Sequence, residues 1–463
     1  MADIQPSAQD PEQIPAPIPA NEEPNPELNQ PEMLEFSPEQ VAGEPIAGTK
    51  PARAPAATVI FFTVLLDMLA MGMIAPVLPR LIESFLHGDA SAASKMLGLF
   101  GTVFAAMQFV FSPILGSLSD RFGRRPIVLL SNFGLGADYL MMAWAPALPW
   151  LFVGRVISGL TASSIPTAMA YMADVTPHEK RAAAFGMLSA AFGVGFVLGP
   201  AMGGVLGGVN PRLPFLVAAG LSLLNGLYGT FVLPESLSKE HRNSFSWKRA
   251  NPVGSLAMLA RSKSLMLLSA VLICGYLAQQ SLMNVYVLYT DYRYHWSVRT
   301  TGISLGVVGV FTIIYSGFVV RPLTKKYGER FCILFGLLGG AVGYTCFGLS
   351  KTGMLFWFAI PFLNLMSLTW PSAQALMSKS AAKSEQGHLQ GAINGLRGAA
   401  GIVGPQIFTW IFAYSVGERA VVNLPGSPFY LAALMLLAAV PIGIIATRKI
   451  HAAPQMGGPS LSQ

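Results

Sequence analysis

Residues 116–125 read GSLSDRFGRR, one aspartate and three arginines in a short stretch between two long apolar runs. Charge is scarce elsewhere: 11% of the 463 residues are Asp, Glu, Lys or Arg, 52% are hydrophobic, and the mean hydropathy is +0.51. A water-soluble chain carries about 25% charged residues. Apolar runs of about 20 residues, enough to cross a hydrocarbon core of about 30 Å, recur on both sides of the motif. The expected fold class is therefore an all-α polytopic membrane protein. The ten-residue alternation of a membrane β-barrel is missing from the sequence.

Twelve spans are expected, at 57–79, 94–115, 126–146, 149–173, 183–207, 213–233, 264–288, 300–320, 331–349, 354–378, 388–414 and 427–446. An even number puts both termini on one side, and basic residues mark the cytoplasmic face. Nineteen Lys or Arg fall on the side of the motif and seven on the other, so the motif and both termini are read as cytoplasmic. Residues 1–56 are read as a disordered, acidic, Pro-rich tail: the first 49 hold ten Asp or Glu and no Lys or Arg. That segment lacks the basic and apolar regions of a signal peptide. With its ten acids set aside, the net charge of +7 becomes +17, which suits basic loops on one membrane face and gives no reason to invoke nucleic acid. The remaining divisions are an N-terminal half at 57–233, a polar linker at 234–263, a C-terminal half at 264–446 and a tail at 447–463.

The chain repeats itself at an offset of 205 residues. Gly199-Pro200 recurs as Gly404-Pro405, and the same shift carries Gly123 to Gly328, Pro166 to Pro371, Met172 to Met377 and Gly186 to Gly391. Two six-helix, pseudo-symmetric halves in one orientation follow, with a site expected at the midplane between them. Under the same shift Asp120 maps to Lys325, Arg124 to Glu329 and Asp174 to Lys379, so each charge inverts. If Arg124 meets Asp174 in one half, Glu329 meets Lys379 in the other. The plainer reading takes them as membrane-face anchors. Gly116 and Gly123 are read as the glycines of a tight turn, Asp120 as an acid near a helix N-terminus, and the charges as a latch that holds one half against the other.

These residues resemble the major facilitator superfamily. GSLSDRFGRRPIVLL is similar to its loop 2–3 motif, FVGRVISGLTAS (152–163) to its span-4 motif with a buried arginine, and GVGFVLGPAMGG (193–204) to the span-5 motif of its drug:proton antiporters. ADYLMMAWAPALPWLFVGRVISGLT, MNVYVLYTDYRYHWS and EQGHLQG narrow the resemblance to the tetracycline-efflux branch. It implies the major facilitator fold of 12 transmembrane helices over residues 57–446, a bacterial cytoplasmic (inner) membrane setting, and polar transport positions at Gln108, Asp138 and Gln280. This chain departs from that branch at Thr312, where those exporters carry histidine, and at Gly340, where they carry aspartate. It departs again at Arg397, where they carry a small polar residue. Those exporters handle a magnesium-chelated cation, so the departures point toward neutral or anionic substrates.

A charge at the bilayer centre costs about 2.5–3.5 kcal/mol, so each one needs a reason. Four lie inside spans: Asp67, Asp138, Arg155 and Arg397. Desolvation favours a neutral acid, and a nearby cation favours the carboxylate. Asp67, with Arg155 as its expected cation, is read either as a proton-coupling acid or as half of a static bridge. Asp138 is read as a transport residue or as a packed one off the cavity. Arg397, with Asn394 a turn before it, either recognises an anionic substrate or pairs with Asp67 or Asp138. Substrate-binding candidates are Gln108, Asp138, Gln280, Thr312, Asn394 and Arg397. Gly195, Gly199 and Gly203 recur every four residues and admit a close helix, and Pro200 is expected to kink theirs. That helix is expected to lie between the halves. The methionines, Met68, Met71 and Met73 among them, are read as lipid-facing or core packing, with a polyspecific lining as the alternative. Cys274, Cys332 and Cys346 are read as packing residues. The histidines show no metal spacing, no Gly-rich nucleotide loop is present, and no cofactor is expected. The chain is read as no enzyme but a functional monomer in the lipid bilayer that exchanges a small-molecule substrate for protons. A proton symporter of an organic anion is the alternative, and a non-transporting membrane sensor a further one.

Overall fold

Lipid offers no hydrogen bonds, so apolar segments that cross it close their backbone bonds internally as helices. The computed structural model describes residues 54–452 apart from 243–244, 246–253, 383–384, 419 and 421. The expected acidic tail up to residue 53, residues 453–463 of the C-terminal tail and residues 243–244 and 246–253 of the central linker lie outside the described residues. The first half runs α1 (Ala54–Ile74), α2 (Leu78–Phe85), α3 (Ala90–Phe122), α4 (Arg124–Trp144), α5 (Leu148–Thr161), α6 (Ser164–Val175), α7 (Arg181–Val209) and α8 (Leu213–Val232). The second runs α9 (Lys263–Tyr294), α10 (Val298–Ile314), α11 (Val320–Leu349), α12 (Gly353–Asn364), α13 (Thr369–Lys379), α14 (Gln386–Val416) and α15 (Ser427–Ala452). The linker, expected to be polar, ends in a 3-10 helix, Gly254–Arg261, whose Met258 and Leu259 are buried.

Among the described residues, eleven helical stretches are long and apolar enough to cross a membrane. The one at Val298–Leu349 has 52 residues, about 78 Å at 1.5 Å per residue. It is two crossings, because the backbone breaks at Gly328. Twelve crossings result. Gly123 (φ 110°) and Gly328 (φ 79°) hold the left-handed backbone that glycine adopts without strain, at equivalent points of the two halves. The repeat extends to irregularity. The α5/α6 crossing is interrupted at Ala162 and Ser163, and the equivalent α12/α13 crossing by a 3-10 turn at Leu365–Leu368. Gly116, expected in the turn, lies inside α3, so Gly123 alone makes that turn.

The helix α7 is wedged between the halves and runs unbroken through Pro200. One face is the glycine ladder, and its partner is α1 of the same half. A β-carbon on Gly199 would stand 2.7 Å from Gly72 Cα, and one on Gly203 would press into the Met73 backbone. Gly195 admits Met68. The adjacent face meets α10 of the other half, where a β-carbon on Gly204 would stand 2.8 Å from Gly302 Cα. Small residues thus bring three backbones together, which is how helices associate where lipid weakens the hydrophobic drive.

The halves are joined at the end opposite GSLSDRFGRR. Ser91 Oγ donates to Ala413 O at 2.9 Å, Ser94 Oγ to Thr409 O at 2.8 Å and Thr102 Oγ1 to Ile402 O at 2.8 Å, all from α3 to α14. The contact continues to Phe109, which packs on Gly398. At the motif end, β-carbons on Gly116, Gly186, Gly317 and Gly387 would meet nothing within 4 Å. The bundle is sealed at one end and parted at the other. Overpacking a tight contact costs about 1–3 kcal/mol, so Gly199→Ala should lower the melting temperature of the detergent-solubilised protein by several degrees. Gly186→Ala should not. A Gly199→Ala protein as stable as the wild type would contradict the backbone contact.

Candidate functional site

At the parted end, Gly123 turns the chain so that Arg124 reaches back over its own half. Arg124 Nε lies 3.1 Å from Asp174 Oδ2, and its Nη1 lies 2.5 Å from Asp120 and 2.7 Å from Ser119 Oγ. In the other half Lys379 Nζ lies 2.5 Å from Glu329 Oε1. The sign-exchanged residues therefore meet as pairs, each inside one half. They do not tie the halves together here, because these ends are apart. The acid at the α4 N-terminus is Glu235 and not Asp120. It accepts from the Arg124 and Arg125 backbone N–H groups at 2.8 and 3.3 Å, where the helix dipole favours negative charge.

Arg155 pairs with Asp138 and not with Asp67. Its Nη2 lies 2.6 Å from Asp138 Oδ2, and its guanidinium sits 5.6 Å from the Phe104 ring centre. Asp138 is fully buried between α4 and α5 and has no face on the open space. Gly154 makes the room: a β-carbon there would stand 2.5 Å from Asp138 Oδ1. The static bridge expected of Asp67 is thus made by Asp138.

Asp67 sits among neutral groups. Asn225 donates to its Oδ1 at 3.3 Å and also binds Thr63, and Ser164 hydrogen-bonds the same carboxyl. The Asn132 amide, oriented to satisfy its neighbours, donates to Asp67 at 3.2 Å and accepts from Asn225. Asp67 is 2% exposed, and no cation pairs with it among the described residues. The next residue, Met68, packs on Gly195 of α7, so the acid and the glycine ladder share one turn of α1.

The other candidates line the junction of α3, α9, α10 and α14. Gln280 Oε1 accepts from Asn284 at 3.0 Å, and its aliphatic stem fills the space left by Gly404. Thr312 donates to Asn364 Oδ1 at 2.8 Å, so that hydroxyl is engaged inside its own half. Gln108 is half-buried beside Phe109, and Asn394 is exposed on α14. Arg397 is exposed and meets neither Asp67 nor Asp138. Its guanidinium lies 5.2 Å from the Tyr276 ring centre, and Tyr276 stacks on Trp370 at 4.7 Å. Gly340 is closely packed: a β-carbon would stand 3.0 Å from Leu436 and 3.1 Å from Met366. Among the described residues no cluster of His, Cys, Asp and Glu is placed to hold a metal.

The sealed end carries residues that the sequence does not single out. Arg80 on α2 makes an ion pair with Asp291 at the end of α9 and donates to Trp296 O at 2.5 Å. Glu83 hydrogen-bonds Asp291 as well. These contacts cross between the halves. By sequence Arg80 is one loop charge among others, and no spacing links positions so far apart in the chain.

A twelve-crossing bundle of two like-oriented halves, parted at one end with charged and polar groups along the cleft, is the architecture of a membrane transporter. Residues 60–405 match the model of the Major Facilitator Superfamily. The chain belongs to that superfamily, in its tetracycline-efflux-like branch, and is a multi-pass transporter of small molecules, not an enzyme. It is 37% identical over 383 residues to the tetracycline resistance protein, class C, of Escherichia coli, covering 82% of this chain and 95% of that one. It is 33% identical over 361 residues to the class H protein of Pasteurella multocida, covering 77% and 89%. Among solved structures, the human organic anion transporter MFSD10 superposes with a TM-score of 0.64 at 21% identity, over 85% of this chain and 100% of that one, a likeness of fold.

The two ion pairs differ in exposure, and that difference sets a test. The Arg124 and Asp174 side chains are 13% and 23% exposed, whereas Lys379 is 60% exposed. Exposed pairs are screened and contribute about 0–1 kcal/mol. A double-mutant cycle on thermal stability should give a larger coupling for Arg124→Asp with Asp174→Arg than for Glu329→Lys with Lys379→Glu. Added salt should weaken the second more. Equal couplings, or none at Arg124, would contradict the geometry.

Proposed function

We propose that this chain is a secondary active transporter that exports small amphipathic molecules in exchange for protons, by alternating access across a bacterial cytoplasmic membrane. The observation that carries the reading is Asp67, a buried carboxyl held by Asn132, Ser164 and Asn225 with no cation paired to it among the described residues. An uncompensated carboxylate in such a place is costly, and a protonated one is not. Asp67 is therefore the group that takes and releases the coupling proton. Arg155 and Asp138 hold α4 against α5 beside it. The similarity to tetracycline resistance proteins supports drug export, and the glycine ladder ties the proton site to movement: α1 that carries Asp67 packs through Met68 and Gly72 on α7, which packs on α10 of the other half.

The motif end is taken as cytoplasmic, from the excess of basic residues there, so the cleft opens to the cell interior. In the opposite state the motif ends close and the sealed end opens, releasing Arg80 from Asp291. The Arg124 and Lys379 pairs then act as latches within each half that keep the moving ends rigid. Tetracycline itself is a poor expectation, because Thr312, engaged by Asn364, and Gly340, closely packed by Leu436 and Met366, supply neither the histidine nor the acid expected of that branch. Uptake of an organic anion together with a proton is the second reading, and the unpaired Arg397 favours it.

Proteoliposomes separate these. An inside-acid gradient drives substrate in by antiport, and an inside-alkaline gradient drives it in by symport. Asp67→Asn should reduce gradient-driven transport at least about a hundredfold while detergent binding of substrate stays within a few-fold; mutating a coupling acid removes a step, not a contact. Wild-type gradient-driven transport by Asp67→Asn would remove Asp67 from the mechanism.

A further inference from the structure

We propose that Arg397 is the anion-recognition point of the cleft, and that the preferred substrates are amphipathic molecules bearing a carboxylate or comparable acidic group. The inference rests on the transporter reading and names its substrate class.

Place comes first. Along α14 the residues that face α3 of the other half include Gly398 on Phe109, Gly401 on Ala105 and Thr409 on Gly98. Toward the parted end the same stripe of α14 continues through Arg397, Asn394 and Gln390, all exposed. Arg397 therefore stands where the two halves separate, on the wall of the cleft. It lies 11 residues into the helix, roughly 17 Å from its start at 1.5 Å per residue, well inside the crossing.

Charge comes second. No acid pairs with Arg397 among the described residues. The buried acids are engaged elsewhere, Asp138 by Arg155 and Asp67 by neutral donors. Arg397 is thus an exposed cation on the cleft wall with no acid paired to it among the described residues, and an incoming anion supplies the counter-charge.

Preorganisation comes third. The Arg397 guanidinium carbon lies 5.2 Å from the Tyr276 ring centre, and Trp370 stacks on Tyr276 with the rings 7° from parallel. Gly275 allows this, since a β-carbon there would stand 2.5 Å from the Trp370 ring. A guanidinium beside an aromatic ring, with no hydrogen-bond partner among the described residues, has its N–H groups available for a two-point contact with a carboxylate. The Tyr276 hydroxyl is buried and has no hydrogen-bond partner. At the repeat-equivalent position of α7 stands Phe192, half-buried against the α1 side. The repeat thus sets a cation in one half where the other has an aromatic ring, a pairing that suits a molecule with one acidic end and one apolar end.

The test uses 1-pyrenebutyrate and its uncharged amide, which share a ring system and differ in charge. Binding to the full-length protein is measured in dodecylmaltoside, which carries no anion and so removes lipid phosphate as a competitor. Wild type should bind the carboxylate about tenfold tighter than the amide. Arg397→Gln should lose about that factor for the carboxylate and stay within about twofold for the amide, and Arg397→Lys should keep some of the preference. An unchanged melting temperature and unchanged amide binding show that the variants are folded. Failure of wild type to bind the carboxylate, equal affinity for the two probes, or equal loss in Arg397→Gln overturns the proposal. Gradient-driven transport of both probes without preference would sink it while leaving the exporter reading intact. Charge-selective binding without gradient-driven transport would sink the exporter reading and leave the anion site standing.

Discussion

Three helix backbones meet at α7, and the rest of the molecule depends on that approach. Gly199 against Gly72 and Gly204 against Gly302 leave no side chain between α1, α7 and α10. Helices that touch at this range slide or rotate as rigid bodies; they do not deform. Under the proposed mechanism, a change at Asp67, one residue before a ladder contact, passes to the far half without a wire of side chains. Other small residues give the bundle its sealed end, where serine and threonine hydroxyls of α3 close on backbone carbonyls of α14.

The membrane makes every interior charge expensive, and the distribution of charges reads as a division of labour. Arg155 and Asp138 cancel one another inside the first half. Asp67 is left with neutral partners, a setting in which a proton matters. Arg397 is left with an aromatic ring and, among the described residues, no acid, a setting in which an anion matters. Across the gap at the sealed end, Arg80 holds Asp291, with Glu83 on the same carboxylate, so an outward opening has to break up this cluster of a base and its acids. At the parted end the ion pairs stay within halves, and that is why those ends separate without breaking a charge pair.

Much of this was legible in the sequence. Hydropathy sets the crossings, and the 205-residue repeat locates two positive-φ glycines and two ion pairs of opposite sense. Repeats make three-dimensional statements, because a contact in one half is a hypothesis about the other. What failed was partner choice. Asp67 and Arg155 lie in motifs that invite pairing, yet Gly154 opens space for Asp138 in front of the same arginine, and spacing carries no record of that. Gly116 looked like a turn residue and is a helix interior position, since Gly123 already supplies the turn. Glu235, Asn225, Asn132, Asn364 and Asp291 came to light only in three dimensions, as ordinary polar residues whose partners lie on other helices.

The central claim is that proton occupancy of Asp67 decides which end of the bundle is open. Spin labels at His87 and Val422 report on the sealed end, and labels at Phe122 and Tyr327 on the parted end, in a protein whose three cysteines are replaced by serine. In an exchanger the proton must return the carrier to the cell interior, so the protonated form must face inward. Double electron–electron resonance should show the Phe122–Tyr327 distance shortening and the His87–Val422 distance lengthening as pH rises. Asp67→Asn should hold the inward-open distances at every pH. Distances that ignore pH in the wild type, or a variant that responds as the wild type does, would contradict the account.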